Sequence, residues 1–120
     1  PYMEKSGGGS VVSVSSQAGQ VGGWMGSVAY SASKGGILAI TKGYARQCTA
    51  KYGIRFNDVA PGLIETPLTK ERGDKPDGIP VGRLGTAQDV ANAIYFLASD
   101  LSSFVDGATI DVNGGMFMRS

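Results

Sequence analysis

Tyr30 and Lys34 stand four residues apart in the run AYSASKGG, a spacing that sets both side chains on one face of a helix, about one turn apart. A phenol is a poor base at neutral pH, with an ordinary pKa of about 10, but a neighbouring ammonium favours its ionised form. Such a pair suits a reaction in which a substrate oxygen gains or loses a proton while its carbon gains or loses hydride, because the phenol proton can follow the developing alkoxide. Ser16, closing the run VVSVSS, would hydrogen-bond that same oxygen. Taken singly these features are weak. A Tyr-x-x-x-Lys spacing arises easily by chance, strand-end serines usually serve the backbone, and Pro61-Gly62 reads equally well as a plain turn.

The elements that must position these residues give the pattern its weight. Residues 1 to 5 read as the tail of a helix, and Ser6 to Gly9 as the turn after it. The β-branched run from Val11 to Ser16 predicts a short buried parallel strand, followed by a glycine-studded loop from Gly19 to Gly26. A helix is expected over about residues 29 to 51, with Ala32, Ala39, Ala45 and Cys48 allowing close packing and Gly53 as its C-cap. Ile54, Phe56 and Val59 mark a second strand that Pro61-Gly62 stops. From Leu63 to Gly85 the chain reads as a loop with one short helix. Thr86 and Asp89 form a capping-box pattern for a helix reaching about Ser99, whose core stripe is Val90, Ala93, Ile94, Leu97 and Ala98. Thr109 to Val112 is a last strand, closed by Gly114-Gly115. This alternation predicts an α/β fold with parallel strands, in which ligands gather beyond the carboxyl ends of the strands. Ser16 and Pro61-Gly62 would then share one rim.

Composition removes competing chemistries. With no His and a single Cys, Cys48, the chain has no Ser-His-Asp or Cys-His scheme, no disulfide and no expected metal site. An esterase built on Ser16 would lack its base. A net charge of +1, with Lys and Arg scattered, gives no basic stripe for nucleic acid or an anionic membrane. No apolar run approaches the roughly 18 residues of a membrane span and no leader pattern opens the chain, so the cytoplasm is the expected compartment. At 120 residues one core is the ceiling.

Taken in order, SVVSVSSQAG, AYSASKGG, GIRFNDVAPGLIETP and PVGRLGTAQDVANAIYFLASDLSSFVDGATIDVNGG resemble the short-chain dehydrogenase/reductase family over nearly the whole chain. The resemblance implies a Rossmann-like doubly wound parallel sheet and an oxidoreductase using NAD or NADP to interconvert a ketone and a secondary alcohol. It further implies that Ser16 orients the carbonyl, that Tyr30 transfers the proton, and that Lys34 assists Tyr30 while binding the nicotinamide ribose. Pro61, Gly62, Ile64 and Thr66 would line the nicotinamide, through the Ile64 backbone and the Thr66 hydroxyl above all. Leu68 to Pro80 corresponds to a substrate lid. A homo-oligomer, dimer or tetramer, is implied as well, with helix 86 to 99 and Met116-Phe117-Met118 as possible contacts.

The match departs from the family at three places. The interval from Ser16 to Tyr30 is one residue longer than usual, so counting back from Tyr30 lands on Gln17; Gln17-Ala18-Gly19 nonetheless aligns with what normally follows the serine, and the extra residue fits in Gly22 to Gly26, where Trp24 is a candidate substrate contact. Phe56 and Asp58 replace smaller residues. No glycine-rich turn between a first strand and helix is present, and Gly7-Gly8-Gly9 precedes a strand instead. Residues 1–120 are therefore expected to be the C-terminal catalytic half of a single Rossmann-like domain whose N-terminal nucleotide-binding half is absent. The rival reading is a catalytically incomplete fragment acting only in self-association.

Overall fold

A computed structural model describes residues 1–23 and 27–119. Three strands, β1 (Gly9–Val14), β2 (Ile54–Pro61) and β3 (Thr109–Val112), form one sheet in the order β1-β2-β3. Both pairings are parallel, with Val14 opposite Val59 and Pro61 opposite Val112. The helices are α1 (Tyr2–Lys5), α2 (Ala18–Val21), α3 (Val28–Tyr52), α4 (Pro67–Arg72) and α5 (Ala87–Ala98), with a 3-10 turn at Asp100–Ser102. Val59 and Ala60 in the middle strand are completely buried, as expected of a parallel strand covered on both faces.

The alternation of β2 assigns its two faces. Phe56 stacks on Tyr44 of α3 with ring centroids 5.4 Å apart, while Arg55 on the opposite face donates to the Leu97 and Ser99 carbonyls at the end of α5. Helices thus lie on both faces of the sheet, the doubly wound arrangement expected from the sequence. Arg55 also donates to Ser102 Oγ and the Val105 carbonyl, so this half-buried cation is held by neutral acceptors alone. Asn57 bridges the Val105 carbonyl and the Ala108 amide, tying the approach to β3 against β2.

Helix ends follow the local chemistry. The Ser27 hydroxyl caps α3 by accepting from the Tyr30 amide, and Gly53 closes it in the left-handed region at φ 67°, which costs glycine little. Thr86 and Asp89 form the expected capping box of α5. Arg83 grips the Asp89 carboxylate from outside and, with the Thr86 bonds, holds it well below the usual carboxylate range. Among the described residues no helix is long and apolar enough to cross a membrane.

Three expectations need adjustment. The first strand ends at Val14, not Ser16, because the chain turns into α2 there, although Ser15 and Gln17 still donate to the Val59 and Pro61 carbonyls. Part of the glycine-rich loop is the short helix α2; Trp24 lies outside the described residues. Ala32, Ala39 and Ala98 are exposed, whereas Ala45, Cys48, Val90, Ala93 and Ile94 are half-buried and Leu97 is fully buried. The small residues early in α3 therefore face away from this sheet.

Candidate active site

Beyond the carboxyl end of β1 the chain is pinned to α3 by the serine that the sequence did not single out. Ser15 is buried and its hydroxyl donates to the Lys34 carbonyl at 2.7 Å. A close approach of α2 to α3 follows at the next glycine: a Cβ on Gly19 would fall 2.6 Å from the Lys34 carbonyl carbon and 2.7 Å from the Gly35 nitrogen. Only a residue without a side chain permits that approach. Ser16 itself is half-buried, and its Oγ accepts from the Ala18 amide at 3.2 Å. That bond uses a lone pair and leaves the hydroxyl proton available to an acceptor.

Lys34 reaches back across the rim from this fixed backbone. Its Nζ donates to the Val14 carbonyl, the last of β1, at 3.0 Å, and lies 5.8 Å from the centroid of the Tyr30 ring. One ammonium is thereby anchored to the strand and set beside the phenol, with two of its three donors left for other acceptors. Tyr30 is 44% exposed, open to a substrate. Arg72, at the end of α4, pairs with Asp74, which raises the guanidinium pKa.

The turn after β2 completes the rim. The Pro61 carbonyl accepts from the Gln17 amide at 2.9 Å, and the Gly62 amide donates to Val112 at 3.0 Å, so all three strand ends meet here. Gly62 is hemmed in: an added Cβ would lie 2.8 Å from Asn113 Cβ and 2.9 Å from Gln17 Oε1. Ile64 bridges to Gly85, through Glu65 and Gly85 amides that donate to Gly85 and Leu63; the Ile64 carbonyl is taken by the Thr69 hydroxyl. Thr66 caps α4, its Oγ1 accepting from the Thr69 amide at 3.2 Å and lying 3.3 Å from Thr69 Oγ1. From Leu68 to Pro80 only Thr69 and Ile79 are buried, so the expected lid is fastened at two points and otherwise lies on the surface.

A second tie supports the turn after Ser16. Gln20 Nε2 donates to Asp111 Oδ1 of β3 at 2.7 Å, and Arg119 grips the same carboxylate at 2.8 and 3.0 Å. The structure thus gathers Ser16, Tyr30, Lys34 and the Pro61 to Thr66 turn onto one rim. Ser15, Gly19 and Gln20 hold them there. Among the described residues no group of three His, Cys, Asp or Glu side chains could hold a metal ion.

Comparison with known proteins agrees with this architecture. Residues 1–117 match a family described as Enoyl-(Acyl carrier protein) reductase. The chain is 49% identical to an uncharacterized short-chain type dehydrogenase/reductase of Sinorhizobium fredii, over 99% of this chain and 49% of that protein. It is 45% identical to the 3-oxoacyl-(acyl-carrier-protein) reductase FabG of Thermotoga maritima, over 97% of this chain and 48% of the relative. A crystal structure of a short-chain dehydrogenase/reductase from Brucella melitensis superposes with a TM-score of 0.82 at 37% identity, covering 92% of this chain and 46% of the other. The chain belongs to the short-chain dehydrogenase/reductase family. It spans about half the length of the curated relatives it matches.

Proposed function

We propose that this chain is the C-terminal catalytic half of an NAD(P)-dependent oxidoreductase that interconverts a ketone and a secondary alcohol. The observation that carries the reading is Lys34, whose ammonium is anchored on the Val14 carbonyl and set beside the Tyr30 ring. Next to it Ser16 offers a free hydroxyl proton. A substrate carbonyl would accept from Ser16 and Tyr30 together. As negative charge develops on that oxygen, Tyr30 gives up its proton, and the ammonium stabilises the phenolate left behind. In the oxidative direction the same phenolate takes the alcohol proton.

The residues present fit the nicotinamide half of a dinucleotide. Two free donors remain on Lys34 for ribose hydroxyls, and the buried Gln17 Oε1 has no partner among the described residues. Pro61, Gly62, Ile64 and Thr66 would hold the ring, which when bound supplies or accepts the hydride. An adenosine-binding half is proposed from the sheet: β1 pairs only with β2, and Val14 at its end is 45% exposed. A parallel strand of this kind needs a neighbour on its other edge. The 3-oxoacyl-(acyl-carrier-protein) reductase of Thermotoga maritima and a (3R)-3-hydroxyacyl-CoA dehydrogenase of Homo sapiens, 41% identical to this chain, make 3-oxoacyl thioesters the first substrates to try. Exposed Tyr95, Met116 and Met118 support a homo-oligomer formed through α5 and the chain end.

The test is Tyr30→Phe in the protein carrying both proposed halves, assayed by NADH or NADPH consumption. Turnover should fall by a factor of about 100 to 10,000, the usual share of a positioned acid-base group, with thermal stability unchanged. Turnover within a factor of a few of the parent would overturn the mechanism.

A further inference from the structure

Gln17 is unusual among the rim residues in having a backbone role and no visible use for its side chain. Its amide donates to the Pro61 carbonyl, which fixes the residue between Ser16 and the turn after β2. The side-chain Oε1 is buried and accepts no hydrogen bond from any described residue. It lies against Gly62, where a Cβ would come within 2.9 Å of it. Neighbouring donors are turned elsewhere: the Gly62 amide goes to Val112, one N–H of Asn113 Nδ2 goes to the Phe117 carbonyl at 2.8 Å, and the Gly115 amide goes to Asn113 Oδ1. A buried acceptor left unpaired is costly, so a site that retains one is suited to a ligand that brings a donor.

We propose that Gln17 is a cofactor-binding residue, its Oε1 accepting a hydrogen bond from the carboxamide amine of the nicotinamide. The inference rests on the reading of the Pro61 to Thr66 turn as the nicotinamide site. Of the groups that would be present, those that bring donors are the ribose hydroxyls, which Lys34 engages, and the carboxamide amine. Phosphates and a substrate carbonyl are acceptors and would leave Oε1 unpaired or repel it. The alcohol form of the substrate has one proton, and that proton belongs to Tyr30. The carboxamide amine is a neutral donor and suits a neutral buried acceptor. Counting back from Tyr30 by the family's usual interval reaches this same residue, which serves the bound ring here instead of replacing Ser16.

The probe is the 3-acetylpyridine analogue of NAD or NADP, in which a methyl group takes the place of the amine. Binding of each nucleotide and its analogue is measured by calorimetry on the protein with both halves, for the parent, Gln17→Met and Gln17→Ala. The parent should prefer the natural nucleotide, and both variants should lose about fivefold or more of that preference, the effect of one neutral hydrogen bond to a buried partner. Their melting temperatures without nucleotide should stay level or rise, since an unpaired acceptor has been removed; a substituted side chain that merely packed the rim would lower them. An undiminished preference in a folded variant overturns the proposal and leaves the wider function standing. Failure of the parent to bind either dinucleotide would overturn both.

Discussion

Replacing Asp58 by Asn should stabilise the protein at neutral pH and progressively less in acid. Asp58 is fully buried in the middle strand, and neither carboxylate oxygen makes a well-formed hydrogen bond among the described residues. It is faced by Ser13 of β1 and Thr109 of β3, its register neighbours, by Thr41 and Lys42 of α3, and by Arg119 near the chain end. Burial pushes its pKa up, and the Thr109 and Thr41 hydroxyls with the Lys42 and Arg119 charges offset only part of that. A buried polar group lacking its partner costs about 1–3 kcal/mol, more when charged. Asparagine has the same shape, carries no charge, and brings an amide donor beside Thr109 Oγ1, which makes no well-formed hydrogen bond among the described residues. A gain of about 1–3 kcal/mol at pH 8 follows, or roughly 2–12 °C in Tm for a domain of the relatives' length.

The sign with pH is fixed by the raised value. The neutral acid is the form the fold prefers, so its contribution is fully present below the unfolded carboxylate value, near 3.9, and is lost as pH rises through the folded value. The advantage of Asp58→Asn should therefore be largest above the folded value and close toward pH 4. Urea unfolding of both proteins at a series of pH values measures it, and taking the difference removes the other carboxylates. An advantage independent of pH would mean that burial does not raise the Asp58 pKa, and a variant less stable at pH 8 would mean that Asp58 is ionised and paired in the native state; either overturns the prediction.

Gly19→Ala should force apart α2 and the first turns of α3, since its Cβ meets the Lys34 backbone at 2.6 Å; overpacking of about 1–3 kcal/mol should appear in denaturant unfolding, together with a turnover loss that added cofactor does not restore. Thr86→Ala should cost about 1 kcal/mol through loss of the cap on α5, read by Tm, with little change in kcat. Asp89→Asn should weaken the same helix start at pH 7. Because the Asp89 carboxyl is held low, its contribution is present above the unfolded value and lost only as pH falls through the folded one, so parent and variant should converge only in strong acid. Lys34→Met should weaken nicotinamide-nucleotide binding in calorimetry and lower kcat as well; loss of kcat alone would remove the ribose role.

How much of this was readable in the chain depends on the range of the forces involved. The extents of α3 and α5 and the position of β3 follow from caps, glycines and apolar spacing, all local, and they were legible. The rim was legible too, because parallel strands bring their carboxyl ends together whatever the loops do. What could not be read is which of two adjacent serines faces inward. Ser15 and Ser16 are chemically identical, and only the pleat of a strand that ends two residues early sends Ser15 to the Lys34 carbonyl and leaves Ser16 at the rim. Lys34 shows the same limit: a four-residue spacing put it beside Tyr30, but its bond to the Val14 carbonyl joins elements 20 residues apart and depends on the close approach at Gly19. The pair proposed to transfer the proton looks like a property of one helix and is nonetheless held from outside it. If so, Gly19 and Ser15 govern the placement of the ammonium as directly as Lys34 does, and Ser15→Ala, which frees that carbonyl without touching any group in contact with substrate, should lower kcat more than it raises KM.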